Sequence, residues 1–451
     1  MKEIKQLAVV LGAAIFFIGL FFVSDKYAED LVKEFSGQIS NATAANSDSV
    51  WLYAEPTMEA VNLEAAILKD EKANEVKKAT ITAVGDIMFH SWQIERAYDW
   101  STDSFDFSDS FEYVKDTLSD GDFTVGNLET TLAGRNKGNS QELYGYCTAN
   151  LCFNSPEIAA KNLADAGFDL LGLANNHSLD SWKEGIWSTI DYCDEAGLKH
   201  VGTAKESKDL KYDISTVNGI RVGFLAYTNE TNGFSLADEY KYALNTLENY
   251  DEEQIQSMCE DVKTVKAAGA ETVFVMVHFG VEYATTPDED QKAVVDKLFE
   301  AGADVILGSH PHVLQPLEVR TITDPDGSER TGVVIYSLGN FLSSQYYTAE
   351  QPNDTDIGLI MDVTLEKTGT GKPKITGISL EPTYVNWTTS SISVLPLCKV
   401  HDNMEQYEDI LSDTSKERIN TAYDNVITKL LEGSGLSHTY QDFKYFIDLS
   451  K

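Results

Sequence analysis

The sequence predicts an α/β domain with much parallel strand pairing, and two observations carry that expectation. Six short apolar runs end, always at the carboxyl end, in polar residues of metal-ligating type. Between them, helix-period stretches stop at an Ala-Gly pair that leads into the next run. Open α/β sheets place ligands just beyond the carboxyl ends of their strands. Six runs with one polarity therefore predict a single site assembled from many strand ends.

The runs, in order, close on Gly85-Asp86, Asn127-Leu128-Glu129, Asn175-Asn176-His177, His278, His310-Pro311-His312 and Asn340. The Ala-Gly pairs are Ala166-Gly167, Ala196-Gly197, Ala268-Gly269 and Ala301-Gly302. Glycine just past a helix end takes the left-handed conformation without a Cβ clash and closes the last turn. Strand-like residues follow three of them directly, at 168–174, 270–277 and 303–307, and the fourth leads into a short piece at 199–202. Repetition of helix, glycine and strand is the pattern of a parallel sheet. After Asn340 the pattern changes. Residues 358–365 and 374–381 alternate as antiparallel strands around a Gly-rich turn, residues 391–397 add another, and 415–431 are helix-periodic.

Acidic residues outnumber basic ones 72 to 35, a formal net charge of −37. That excess disfavours nucleic acid as a partner, and an anionic substrate needs local cations, most simply bound metal. The five cysteines contain no Cys-x-x-Cys pair, which leaves a zinc ribbon or thioredoxin-like motif without support.

Residues 7–23 carry no charge, with Lys2 and Lys5 before them and Asp25, Glu29 and Asp30 after. A membrane span needs about 20 apolar residues, with about 17 near the short limit, and the flanking charges favour a cytoplasmic amino end. A cleaved signal peptide has a shorter apolar region and a small-x-small cleavage site, which is lacking here. The expected organisation is a transmembrane anchor at 1–24, a juxtamembrane stalk at 25–78, a main domain at 79–397 and a helical extension at 398–451 packed on it. The expected location is the cell membrane, single-pass, with the main domain extracellular.

The candidate metal ligands are Asp86, Glu129, Asn176, His278, His310 and His312, with His177 beside them as the candidate acid. Two imidazoles two residues apart on a turn stiffened by Pro311 can face one metal cluster. A single such His is more often a satisfied loop residue, and Asp86 alone more often a cap. His278, at the end of the most apolar run, must be ligated or hydrogen-bonded to offset its desolvation. Nitrogen and oxygen donors without thiolate point to Mn, Fe, Zn or Mg. Two ions about 3.5–4 Å apart activate a water and hold both attacking and leaving oxygens. Asp180, Glu282 and Tyr283 stand one step further out, where they orient ligands or meet substrate.

Six motifs, Gly85-Asp86-Ile87-Met88, Asn127-Leu128-Glu129, Ala174-Asn175-Asn176-His177-Ser178-Leu179-Asp180, His278-Phe279-Gly280-Val281-Glu282-Tyr283, Gly308-Ser309-His310-Pro311-His312 and Ser337-Leu338-Gly339-Asn340-Phe341, resemble in order those of the CapA-type capsule synthesis proteins. The resemblance implies a role in poly-γ-glutamate capsule production. It also implies a fold related to the calcineurin-like metallophosphoesterases, a four-layer sandwich of two mixed sheets flanked by helices. On that resemblance Asp86 is the first metal aspartate, Glu129 the bridging carboxylate, Asn176 a ligand, His177 the acid, and His278, His310 and His312 complete the shell. Asn127 and Asn340 support it. The Asp-x-His motif of the phosphoesterases reads Asp86-Ile87-Met88 here, and a thioether is a poor ligand for a hard ion. His90 is the nearest substitute. Two functions are expected from different classes. One is a membrane-anchored, metal-dependent hydrolase or transferase in envelope polymer assembly. The other is a non-catalytic subunit that binds an anionic polymer or its precursor beside membrane synthase subunits.

Overall fold

The computed structural model describes residues 74–137, 143–147, 152–346 and 353–450. The expected anchor and nearly all of the expected stalk lie outside these residues. Among the described residues no helix is long and apolar enough to cross a membrane. The described chain falls within one compact unit, Asp70–Lys451.

Strand β1 (Val76–Ile87) leads through helix α1 (Ser91–Ala97), the small hairpin β2 (Tyr98–Asp99) and β3 (Ser104–Phe105), and α2 (Lys115–Asp120) to β4 (Phe123–Leu128). Alternation then sets in: α3 (Ile158–Ala166), β5 (Leu170–Gly172), α4 (Trp182–Ala196) and β6 (Lys199–Val201). A second set follows, β7 (Tyr212–Val217), β8 (Ile220–Thr228), α5 (Glu252–Ala267), β9 (Thr272–His278), α6 (Glu289–Ala301), β10 (Val305–Ser309), β11 (Leu314–Thr323) and β12 (Glu329–Leu338). The chain returns with β13 (Asn340–Leu342), β14 (Ile357–Thr368), β15 (Lys374–Trp387) and β16 (Ile392–Pro396). It closes with α7 (Leu397–Asp402), α8 (Asp413–Leu430), β17 (Thr439–Gln441) and β18 (Lys444–Asp448).

Apart from the β2–β3 hairpin, these strands make two mixed sheets. The 10-stranded sheet runs β17-β18-β15-β14-β1-β4-β5-β6, with β13 on β1 and β16 on β15. The 6-stranded sheet runs β11-β12-β10-β9-β8-β7. In the first, β1, β4, β5 and β6 are mutually parallel; in the second, β8, β9, β10 and β12 are. Antiparallel partners flank both groups. The expected parallel core and antiparallel carboxyl-terminal strands are therefore both present. The chain after Pro396 also supplies two strands, since β18 pairs with β15.

Side-chain alternation explains the layering. Along β8 and β9, Phe224 and Phe274 belong to the large core shared with the first sheet, and Phe123 of β4 stacks on Phe224 at 5.2 Å. Their neighbours Leu225, Val273 and Val275 face a second core with Met258 and Val262 of α5 and Val295 and Leu298 of α6. Strands buried on both faces read as continuous apolar runs, as these do. The helices stop as predicted at Gly167 and Gly302, both left-handed at φ 110°. Helix α6 starts on a capping box in which Asp288 accepts from the Gln291 backbone at 2.7 Å.

Two glycines allow close backbone approach next to the site. A Cβ on Gly85 would lie 1.9 Å from the Gly339 carbonyl oxygen, and one on Gly308 1.9 Å from that of Tyr336. Each sits one or two residues before a candidate ligand, so backbone contact without side chains places Asp86 and His310.

Candidate metal centre

Every parallel strand that bears a candidate ligand delivers it at its carboxyl end. Asp86 closes β1 beside Asn127 of β4 and Asn340 of β13. Glu129 follows β4, with its backbone N–H bonded to the Ile87 carbonyl at 3.0 Å. His278 ends β9, level with Ser309 at the end of β10. His310 and His312 follow β10 with positive φ values of 97° and 60°. Such backbone is strained for a residue with a Cβ and persists where the surroundings impose it, most often at functional sites. Pro311 stiffens the turn as expected, but the left-handed imidazole positions are a product of the fold.

The candidates converge. Asp86, Glu129 and His312, all buried, offer ligand atoms within 4.8 Å of one another. His312 Nδ1 lies 3.2 Å from Asp86 Oδ2, and its Nε2 3.8 Å from Glu129 Oε1. Around His278 Nε2 a second group gathers, with Asn176 Oδ1 at 2.9 Å, His310 Nδ1 at 3.1 Å and Glu129 Oε1 at 3.6 Å. Ligands about 2.1 Å from a common ion are separated by distances of this order. Glu129 belongs to both groups.

The electrostatics say what this arrangement lacks. Both carboxylate oxygens of Glu129 are buried, and among the described residues no side-chain or backbone donor reaches them within hydrogen-bond distance. Burial, then the Asp86 charge, pushes its pKa well above the ordinary carboxylate value. His278 is held well below the usual imidazole value by burial and by the other histidines. His310 falls to about 3, through burial and His312. Neutral imidazoles are ligands and not salt-bridge partners, so the short His–Glu129 distances are ligand-to-ligand distances. His312 differs: burial is the largest influence and opposes its charge, but the Asp86 contact, the Glu282 charge and the Asn340 hydrogen bond together raise its pKa. Unpaired buried carboxylates are strongly unfavourable, and divalent cations would satisfy Glu129 and Asp86 together with the neutral imidazoles of His278 and His310 and, once it gives up its proton, that of His312. The donor set therefore fits divalent metal.

The flanking residues orient this set. Asn127 donates to Asp86 Oδ1 at 2.8 Å, and Asn175 donates to Asn127 at 3.2 Å and to the Leu128 carbonyl at 2.7 Å. Asn340 Oδ1 meets His312 Nδ1 at 3.0 Å. His177 Nδ1 lies 2.7 Å from buried Asp180 Oδ2, and its Nε2 faces Glu129 at 3.9 Å. Burial raises the Asp180 pKa against the opposing pull of His177.

Three predicted residues stand apart from the carboxylates. His90 caps α1, its Nδ1 2.8 Å from Ser91 Oγ, and the Phe153 ring packs against both it and His177 at 5.3 and 4.2 Å. Burial and His177 lower its pKa. It is not part of the cluster that holds Asp86 and Glu129, because α1 turns the chain away directly after Phe89. Exposed Glu282 and Tyr283 lie at the mouth. Tyr283 N donates to the Pro311 carbonyl at 2.8 Å, and its ring is 6.1 Å from that of His312.

Sequence reasoning missed Glu230, whose Oε1 lies 3.4 Å from His310 Nε2. The same signal was available: the apolar run of β8 also ends in a polar cluster, Thr228-Asn229-Glu230. Ser309 was missed as well, with Oγ 2.9 Å from His278 Nδ1.

Comparison with known proteins finds relatives over the part of the chain that holds these residues. A model of the family described as "Bacterial capsule synthesis protein PGA_cap" matches residues 80–345. The chain is 29% identical over 346 residues to the capsule biosynthesis protein CapA of Bacillus anthracis, covering 76% of each chain. It is also 29% identical over 300 residues to the PGA biosynthesis protein CapA of Bacillus subtilis (strain 168), covering 66% of this chain and 70% of that one. Among solved structures, the calcineurin-like phosphoesterase YfkN from Bacillus subtilis aligns with a TM-score of 0.38 at 14% identity, over 78% of this chain and 98% of that one.

Proposed function

Because the chain belongs to the bacterial capsule synthesis protein family, we propose that it is a metal-dependent hydrolase or transferase of the metallophosphoesterase type. In this reading it acts in the assembly of capsule, poly-γ-glutamate or a related anionic envelope polymer. Residues 7–23 anchor it in the cell membrane, and the main domain faces outward. The fold reading that goes with this is the calcineurin-like four-layer sandwich. The observation that carries the proposal is Glu129, a fully buried carboxylate that among the described residues has no donor for either oxygen and lies between two groups of ligand atoms.

Asp86 and His312 would hold one divalent cation, and Asn176, His278 and His310 would hold a second, with the Glu129 carboxylate lying between the two groups. Cations bound there would supply Lewis acidity and a positive field for an anionic substrate that the −37 chain otherwise repels. Asn127 and Asn340 fix the first ligand pair by hydrogen bonds to Asp86 and His312. Asp180 keeps the proton of His177 on Nδ1, so Nε2 points into the site and takes up or gives a proton there. Backbone packing at Gly85 and Gly308 holds the whole set rigid.

Metal analysis of the purified full chain, followed by assays on phosphoester and γ-glutamyl amide substrates, tests this. Stoichiometric metal with turnover that disappears in Asp86→Asn and His310→Ala proteins supports it; full turnover in metal-free protein refutes it. Met88 favours a second reading. On the resemblance it stands where the phosphoesterases have a histidine, and it is buried, so a first cation would have fewer protein ligands. A non-catalytic subunit that bridges polymer carboxylates beside a membrane synthase then co-purifies with that synthase and shows no turnover.

A further inference from the structure

A cleft of about 690 Å³ opens beside the metal centre, with Met88, His90 and Tyr283 at its inner end. That volume falls within the range of small-molecule sites. Its outer wall is aromatic and exposed: Trp92 is 48% accessible and Tyr346 50%. Tyr346 packs on Trp387 at 4.7 Å, and Trp92 meets Trp387 edge-on at 6.1 Å. The platform is held in place. Arg96 lies 5.4 Å from the Trp92 ring and 5.8 Å from Trp387, and its guanidinium is bonded to the Thr388 and Trp92 carbonyls.

The polar groups of the cleft are neutral. Ser344, Gln345, Asn353 and Thr355 supply hydroxyls and amides, and no Lys or Arg is among the lining residues. Nearby, buried Gln93 Nε2 and Trp387 Nε1 are donors with no partner among the described residues. The cleft is also wired to the centre. Gln345 Nε2 donates to the Tyr283 hydroxyl at 3.3 Å and its Oε1 accepts from Asn340 at 3.0 Å; Asn340 in turn holds His312.

Aromatic faces with a ring of hydroxyl and amide groups suit a ligand with one apolar face and hydroxyls around its rim. Among the described lining residues a polyanion finds no lysine or arginine, the guanidinium of Arg96 being bonded to the Thr388 and Trp92 carbonyls behind the platform, and a hydrocarbon chain would leave the amides and hydroxyls unpaired. We infer that the cleft is a subsite for a neutral pyranose of an envelope glycan, stacked on Trp92 and Tyr346 so that an attached group reaches the metal centre. The position of the reacting group rests on the function proposed above. The sugar platform itself does not.

The test is titration calorimetry of the full chain with the tetramer of N-acetylglucosamine, in chelator and again in Mn²⁺. Saturable binding of similar strength in both conditions is expected. Trp92→Ala and Tyr346→Ala weaken it at least tenfold, whereas Trp92→Phe keeps most of it, which separates lost stacking from lost folding. No saturable binding overturns the inference, as does binding insensitive to both alanine variants. Binding that vanishes in chelator also overturns it, because the ligand then sits on the cations. So does selective binding of adenosine or a γ-glutamyl hexamer through the same aromatics. Glycan binding that persists in a protein shown to take up no metal defeats the catalytic reading alone.

Discussion

Glu129 gives a prediction whose sign reverses with metal. Its folded pKa lies well above the unfolded carboxylate value because burial and Asp86 disfavour the charge. The stabilisation it provides while protonated is fully present below the unfolded pKa and is lost as pH rises toward the folded one. Within that window each pH unit removes about 1.4 kcal/mol. Each such unit is a sizeable share of the roughly 5–15 kcal/mol that holds a typical domain folded. Glu129→Gln keeps the shape and cannot ionise. In chelator, the variant is therefore more stable than wild type at neutral pH, and the gap narrows toward about pH 5. The depressed imidazoles of His278 and His310 titrate in both proteins, so their contribution largely cancels in the difference. With Mn²⁺ the order inverts. A cation at a hundred times its Kd adds about 2.7 kcal/mol to wild type, and the glutamine variant loses the shared carboxylate. Urea unfolding at several pH values, with and without Mn²⁺, reads all four curves. Parallel pH profiles for the two chelated proteins refute the claim that Glu129 is an unmet buried charge.

Three further outcomes follow from the packing. Gly308→Ala puts a Cβ against the Tyr336 carbonyl; it lowers stability by about 3 kcal/mol or more and reduces bound metal, measured by calorimetry and metal analysis. Arg418 of α8 donates to both oxygens of buried Asp356, at 2.8 and 2.6 Å. Arg418→Ala leaves that carboxylate uncompensated and costs about 3–5 kcal/mol in urea unfolding; a loss under 1 kcal/mol contradicts the assignment. Burial raises the Cys193 thiol to about 12, so iodoacetamide at pH 8 leaves Cys193 unmodified in the native protein and labels it after unfolding, as peptide mapping shows.

Strand ends and helix stops were legible because they are local. Apolar runs closing on Asp86, His278 and His310 need only neighbouring residues to be recognised, and Gly167 and Gly302 end their helices as their sequence position requires. His90 shows the limit of that reasoning. Nothing within a few residues of it reveals that α1 carries it to a cleft wall, while His312, equally short-range in sequence, lands on Asp86. Glu230 was hidden for the opposite reason: its strand ends in the same polar pattern, but only pairing of β8 with β9 brings that end beside His278 and His310.

By itself the sequence determined the α/β alternation, the ligand types and the strand ends that bear them, since periodicity and turn chemistry act over a few residues. Tertiary structure alone decided that two different sheets present their carboxyl ends to one point. It also decided that Glu129 finds no donor there among the described residues and that Trp92 and Tyr346 meet around Trp387 beside it. Those outcomes depend on contacts between residues far apart in the chain, through backbone approach at Gly85 and Gly308, and such contacts leave no periodic trace.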